Sequence, residues 1–101
     1  MKFKVHAPFH INQPLKALID EKIDKLHSLF ERITSAEVFL KKEENRHKFA
    51  DGKIVEIRLN VPRQVLFSKD HSDNYEKALV GATEKMRKQI IKYKDQLFDH
   101  H

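Results

Sequence analysis

Val55-Glu56-Ile57-Arg58-Leu59-Asn60-Val61-Pro62-Arg63-Gln64-Val65-Leu66-Phe67-Ser68 is the stretch that decides the architecture. Val55, Ile57, Leu59 and Val61 alternate with Glu56, Arg58 and Asn60, the period of a half-buried strand. Pro62 has no N–H for a ladder and stops it. A tight turn at Pro62-Arg63-Gln64 then sends the chain back through a short strand, Val65 to Ser68. Two runs joined so closely must be antiparallel neighbours.

Working upstream, Ala36 to Glu43 reads as another strand, with Ala36, Val38 and Leu40 on one face and Glu37, Phe39 and Lys41 on the other. A mixed-charge loop from Glu44 to Gly52, read as flexible, joins it to the next strand, and Asp51-Gly52 supplies a turn signal. At the N-terminus Phe3, Val5 and Ala7 alternate with Lys2, Lys4 and His6, predicting a first strand. Asn12 is a good N-cap and Pro14 is tolerated in a first turn, so a helix is expected from there to about Glu31. Its buried stripe is Leu15, Leu18, Ile19, Ile23, Leu26, Phe30 and Ile33. Lys25 and Arg32 lie on one flank, and Lys22 sits at the margin, where its stem covers the core and its ammonium reaches outward.

Downstream, Asp70 to Asn74 is polar, and Ser72 or Asp73 is expected to start the last helix. From Tyr75 to Leu97 the residues Tyr75, Ala78, Leu79, Ala82, Met86, Ile90, Tyr93 and Leu97 recur at helical steps of three and four. The order is strand, helix, three strands, helix. That pattern predicts an α+β fold, β-α-β-β-β-α, with a four-stranded sheet and two helices packed on one face. The first strand pairs with a meander strand through the helical crossover, right-handed if the pair is parallel. The open sheet face would carry Lys2, Lys4, His6, Glu37, Lys41, Glu56 and Arg58, mixed in sign. The whole chain, 1–101, reads as one domain with 98–101 as a tail.

Twenty Lys and Arg against fifteen Asp and Glu give a net charge of +5, which points to an acidic partner such as nucleic acid or an anionic surface. Without cysteine there is neither a disulfide nor a thiolate metal site. The N-terminus lacks the apolar core of a signal peptide, and no run approaches the ~20 apolar residues of a membrane span. A soluble cytoplasmic protein is expected, with no membrane partner.

The chemistry of an enzyme is hard to assemble. Only Gly52 and Gly81 are present, too few for a phosphate-binding loop. His6, His10, His27, His47 and His71 fall on different elements without an i,i+4 pair, and His100-His101 reads equally as a weak chelator, a natural end or a tag remnant. Asp20-Glu21 and Glu43-Glu44 are adjacent pairs whose side chains diverge, so neither is an acid-base dyad. Ser28, Ser35, Ser68 and Ser72 have no evident His/Asp partners. No catalytic residue, cofactor, metal or small-molecule substrate is expected.

The last helix is the informative feature. Opposite its apolar stripe run Lys77, Gly81, Lys85, Lys88 and Lys92, also at steps of three and four. Like charges so placed repel by a few tenths of a kcal/mol per pair. Such a row is either a solvated face or a surface for a polyanion. Gly81 is either a tolerated surface glycine or a point of close approach for a phosphodiester, and Phe39 either shields the sheet or stacks a base.

Three segments together resemble the ribosome hibernation-promoting factor family, also described as ribosome-associated inhibitors or sigma-factor modulation proteins. They are Ile11-Asn12-Gln13-Pro14-Leu15 leading into Glu21-Lys22-Ile23-Asp24-Lys25-Leu26; Ala36 to Lys41; and Glu84-Lys85-Met86-Arg87-Lys88-Gln89-Ile90-Ile91-Lys92-Tyr93-Lys94. The resemblance implies a domain that sits in the tRNA-mRNA channel of the small ribosomal subunit, binds its rRNA and blocks initiation in idle, stationary-phase ribosomes. Carried over by position, Lys22, Lys25, Lys85, Lys88 and Lys92 are the implied rRNA contacts, with Arg32, Lys77, Arg87 and Lys94 secondary. Of these, Lys77 rests on periodicity alone. Longer members have a further C-terminal domain; a chain ending at His101 looks like a short-type member, or a fragment of a long one, and a monomer when free. The residues by themselves also allow a generic double-stranded RNA-binding module, or a protein-interaction domain.

Overall fold

The computed structural model describes residues 1–43 and 52–98. The elements are β1 (Lys2–His6), α1 (Gln13–Leu29), β2 (Ser35–Lys42), β3 (Lys53–Val61), β4 (Gln64–Ser72) and α2 (Tyr75–Phe98). They build one four-stranded sheet in the order β1-β2-β3-β4. β1 runs parallel to β2, and the other two pairings are antiparallel. This is the α+β arrangement that the alternation predicts.

Register places Val38 beside Ile57 and Ile57 beside Ser68, so β2, β3 and β4 share one inward face. That face carries Ala36, Val38, Leu40, Val55, Ile57, Leu59, Val61 and Leu66, all buried. Leu15, Ile19, Ile23 and Leu26 of α1 and Leu79, Met86, Ile90 and Tyr93 of α2 complete the same core. Each fully buried Leu, Ile or Met contributes about 1.5–3 kcal/mol, so both helices are fixed to one side of the sheet.

The ends of the elements differ from expectation in three places. α1 stops at Leu29, not near Glu31; Phe30 is its extended C-cap, and Phe30 and Ile33 join the core from the turn beyond. β4 continues to Ser72, well past Ser68, because Leu66 and Ser68 keep the inward alternation going. α2 is therefore capped by Asn74, whose Oδ1 accepts from Lys77 N–H at 2.8 Å, and not by Ser72 or Asp73. Two smaller shifts are β2, displaced one residue from Ala36–Glu43, and Phe98, which is helical rather than part of a tail. The loop expected over 44–52 lies outside the described residues except Gly52, as do His47, Asp51, His100 and His101.

The β3-β4 turn is as tight as expected. Val61 pairs with Gln64 across Pro62-Arg63, and Arg63 takes φ 67°, the left-handed value that follows a proline in a type II turn.

α2 lies close on β4 because its contact residues are small. Ala78 and Ala82 are fully buried, and Ser68 Oγ donates to Ala82 O at 2.8 Å. A Cβ on Gly81 would overlap the Asp70 carboxylate. Gly81 therefore corrects both sequence readings: it admits a side chain of β4, not a phosphodiester, and it is no idle surface glycine.

A mid-helix Gly→Ala change normally stabilises by about 1 kcal/mol. Gly81→Ala is expected not to do so in urea denaturation, but to recover most of that gain when measured on an Asp70→Ala background. Full stabilisation by the single change would mean that Asp70 moves aside freely.

Candidate nucleic-acid interface

Topology makes the two helices parallel. β1, β2 and β4 all finish at one end of the sheet, and both helices start there. Asn12 caps α1 by accepting from Leu15 N–H at 2.9 Å, and Phe9 packs on Tyr75 with ring centroids 5.1 Å apart. Tyr75 Oη donates to Lys41 O at 3.1 Å, and burial pushes its phenol pKa up. At the far end Tyr93 Oη donates to Pro62 O at 2.8 Å, and Lys94 Nζ donates to Leu29 O at 2.9 Å. The second bond satisfies a terminal carbonyl of α1 and puts a cation at the negative end of its dipole.

Those contacts orient α2. A helix turns roughly 100° per residue, so Arg87 lies on the same flank as Lys94, towards α1. The opposite flank faces β4. There Lys85 Nζ donates to Lys69 O at 3.0 Å and lies 3.3 Å from Asp70 Oδ1. Gln89 donates its side-chain amide to Phe67 O, and Lys92 lines a hollow with Gln64, Leu66 and Gln96. Lys88 sits nearest the crest.

α1 is oriented in the same way. Lys16 and Asp20 line a cleft with Phe3, Val5 and Ala7 at the β1 edge. The other flank, with Leu18, Lys22, Lys25 and Leu29, consequently faces α2. Lys22 and Lys25 thus share the interhelical side with Arg87 and Lys94. Lys85 and Lys92 lie across α2 from them. The five sequence-selected cations occupy one helical layer, but as a groove set, a crest and an outer flank, not as one cluster.

Their availability also differs. Among the described residues Lys22, Lys25, Lys88 and Lys92 have no ion-pair partner, whereas Lys85 is held by β4. Of the secondary candidates, Arg32 is exposed in the turn after α1. Lys77 lies 3.5 Å from Asp73, and Arg87 makes two hydrogen bonds to Glu84. Asp73 is held below its usual pKa first by the Ser72 hydroxyl and then by Lys77. Glu84 is held below its own by Arg87's hydrogen bonds, and Arg87 is raised in return. The Glu84-Arg87 pair contributes to stability above the ordinary Glu pKa, and that contribution fades as pH falls through the lowered one. Fully solvated, it is small.

Sequence reasoning missed the structural duties of Lys85 and Lys94. The only signal for the first was Gly81 one turn away; the second depends on a carbonyl 65 residues distant and had none. Among the described residues no group of three or more His, Asp or Glu is placed to hold a metal ion. No described helix is long and apolar enough to cross a membrane.

Residues 4–97 match the family described as sigma 54 modulation protein / S30EA ribosomal protein. The chain belongs to that family. A ribosome hibernation promoting factor of Pseudomonas putida is 30% identical over 86 residues, covering 84% of this chain and 78% of that protein. A ribosome hibernation promotion factor of Deinococcus radiodurans is 26% identical over 84 residues, covering 83% of this chain but only 44% of the relative. This S30EA chain therefore spans less than half of the second relative's length. In fold it resembles a ribosomal subunit interface protein from Coxiella burnetii, with TM-score 0.78 and 20% identity over 93% of this chain and 98% of the other. It also resembles the N-terminal domain of Protein Y from Thermus thermophilus, with TM-score 0.73 and 16% identity over 92% and 99%.

Two outcomes follow from the geometry of this layer. Lys94→Met should lower stability by about 1 kcal/mol in urea denaturation, yet weaken RNA binding less than Lys92→Met does. Glu84→Gln should release Arg87, steepening the salt dependence of RNA binding by about one unit of log K per log salt. A slope equal to wild type would place Arg87 outside the interface.

Proposed function

We propose that this S30EA-family chain is a ribosome hibernation factor. It binds small-subunit rRNA in the tRNA-mRNA channel and blocks initiation in idle ribosomes, without catalysis; it is cytoplasmic, and a monomer when free. The observation that carries this reading is the helical layer: Lys22, Lys25, Lys88 and Lys92 project from two parallel, core-anchored helices without ion-pair partners among the described residues. Family membership and the names of the Pseudomonas and Deinococcus relatives supply the ribosome as the target.

The mechanism is electrostatic and steric. Each lysine that neutralises a phosphate releases condensed counterions, which makes binding strongly salt-dependent. Phosphate contacts carry little sequence information, so selectivity comes from the fit of the rigid layer to folded rRNA. A domain lodged in the channel excludes tRNA and message by occupying their space.

Co-sedimentation with purified small subunits, alongside translation in vitro, tests this. The pairs Lys22→Glu/Lys25→Glu and Lys88→Glu/Lys92→Glu should each weaken binding and inhibition, and neutralising the same residues should lower the salt slope by roughly one per lost contact. Lys85 is left intact because its loss would also disturb β4. Wild-type binding by both double variants would overturn the lysine assignment. Equal affinity for generic duplex RNA and for ribosomes would instead favour a general double-stranded RNA-binding module.

A further inference from the structure

The face of the sheet turned away from the helices has a composition that rRNA binding by the helical layer does not use. Register aligns Lys4, Glu37, Arg58 and Phe67 in one row across the four strands, and His6, Phe39, Glu56 and Lys69 in the next. Both glutamates have partners on this face: His6 Nε2 lies 2.9 Å from Glu37, and Lys41 Nζ 3.0 Å from Glu56. Lys4, Arg58 and Lys69 are left without ion-pair partners among the described residues. The face is therefore net positive, although its formal composition is mixed.

Its aromatics are arranged for stacking. Phe39 lies against the His6 ring, with centroids 4.7 Å apart and planes 12° from parallel. Lys41 Nζ and the Arg58 guanidinium stand 5.7 and 5.9 Å from the Phe39 centroid. Phe67 is 45% exposed, directly opposite Arg58 on the neighbouring strand. A lone exposed Phe is ordinary. An exposed Phe on an open sheet face, between unpaired cations and next to a cation-backed aromatic pair, has the chemistry that takes a base on its π-face and a phosphate at its side.

We propose that this open face is a second nucleic-acid surface that binds unpaired RNA, with Phe67 as the stacking platform and Arg58 and Lys69 as its phosphate contacts. Duplex RNA keeps its bases stacked inside and offers Phe67 nothing, whereas splayed single-stranded bases do. A protein strand adding to the sheet beside Phe67 would need the outer edge of β4. There the Phe67 and Lys69 carbonyls are already taken by Gln89 and Lys85. By strand spacing and rise, Phe39 and Phe67 lie roughly 12 Å apart on the diagonal, within reach of one short extended strand. Because the sheet separates this face from the helical layer, both surfaces can be occupied at once.

The test is a titration of ¹⁵N-labelled protein with decauridylate and, separately, with a blunt RNA duplex. Decauridylate should shift the amides of β3 and β4 around Arg58, Phe67 and Lys69, and the duplex should not. Phe67→Ala should weaken decauridylate binding about tenfold, and Arg58→Gln should lower its salt slope by about one. Phe67 is outside the core, so unchanged thermal melting checks that the variant folds. Shifts confined to α1 and α2, a Phe67→Ala variant that binds as wild type, or no response to either RNA would overturn the proposal, the last by leaving the face to a protein partner. None of these results would alter ribosome co-sedimentation through the helices, so the two readings fail separately.

Discussion

The close seat of α2 on β4 is the constraint from which the rest of this molecule follows. Ala78, Gly81 and Ala82 leave no room between helix and strand, and Ser68 and Asp70 fill what remains with a hydrogen bond and a carboxylate. At that separation Lys85 and Gln89 reach the outward carbonyls of β4. The helix is thereby held in rotation as well as in position, and a sheet edge that would otherwise invite pairing is closed. A bulkier residue at Ala78 or Ala82, both fully buried, would lift α2 and disturb these contacts together.

Fixing the rotation of α2 sorts its cations by duty. Lys85 belongs to the β4 contact and Lys94 to the end of α1, so two ammonium groups of the basic segment serve the fold. Lys88 and Lys92 have no ion-pair partner among the described residues, nor do Lys22 and Lys25 on the neighbouring helix. This division matters for an electrostatic binder. Each engaged lysine still adds to the positive field, but only a free one replaces condensed counterions at a phosphate without first breaking a bond.

The sheet then makes the molecule two-sided. Its inner face is apolar apart from Ser68, Asp70 and the strand ends and anchors the helical layer, while its outer face sets His6 and Lys41 against its two glutamates and leaves Lys4, Arg58 and Lys69 without ion-pair partners among the described residues. Rigidity comes from the core that both helices share with β2, β3 and β4.

Much of this was legible in the chain. Period-2 alternation at Val55–Val61 and Ala36–Leu40 and the helical stripe from Tyr75 to Tyr93 specify the elements, their order and the buried faces, because burial of one face imposes its period on the residues. Leu97 kept the stripe's spacing yet is exposed, which spacing alone could not reveal. The β4-α2 boundary was misread because Ser68, Asp70 and Ser72 continue the strand with small polar residues where apolar ones are expected. Spacing also grouped Lys22 and Lys25 with Lys85, Lys88 and Lys92, whereas the packed helices set them on different flanks. Sequence by itself determined what each residue could bury and what charge it could carry, since those are local properties of side chains and their periodicity. Only the tertiary structure decided which lysines are free, because a lysine is engaged by whichever carbonyl or carboxylate packing brings within reach, and Leu29, Lys69 and Asp70 are far from their partners in the chain.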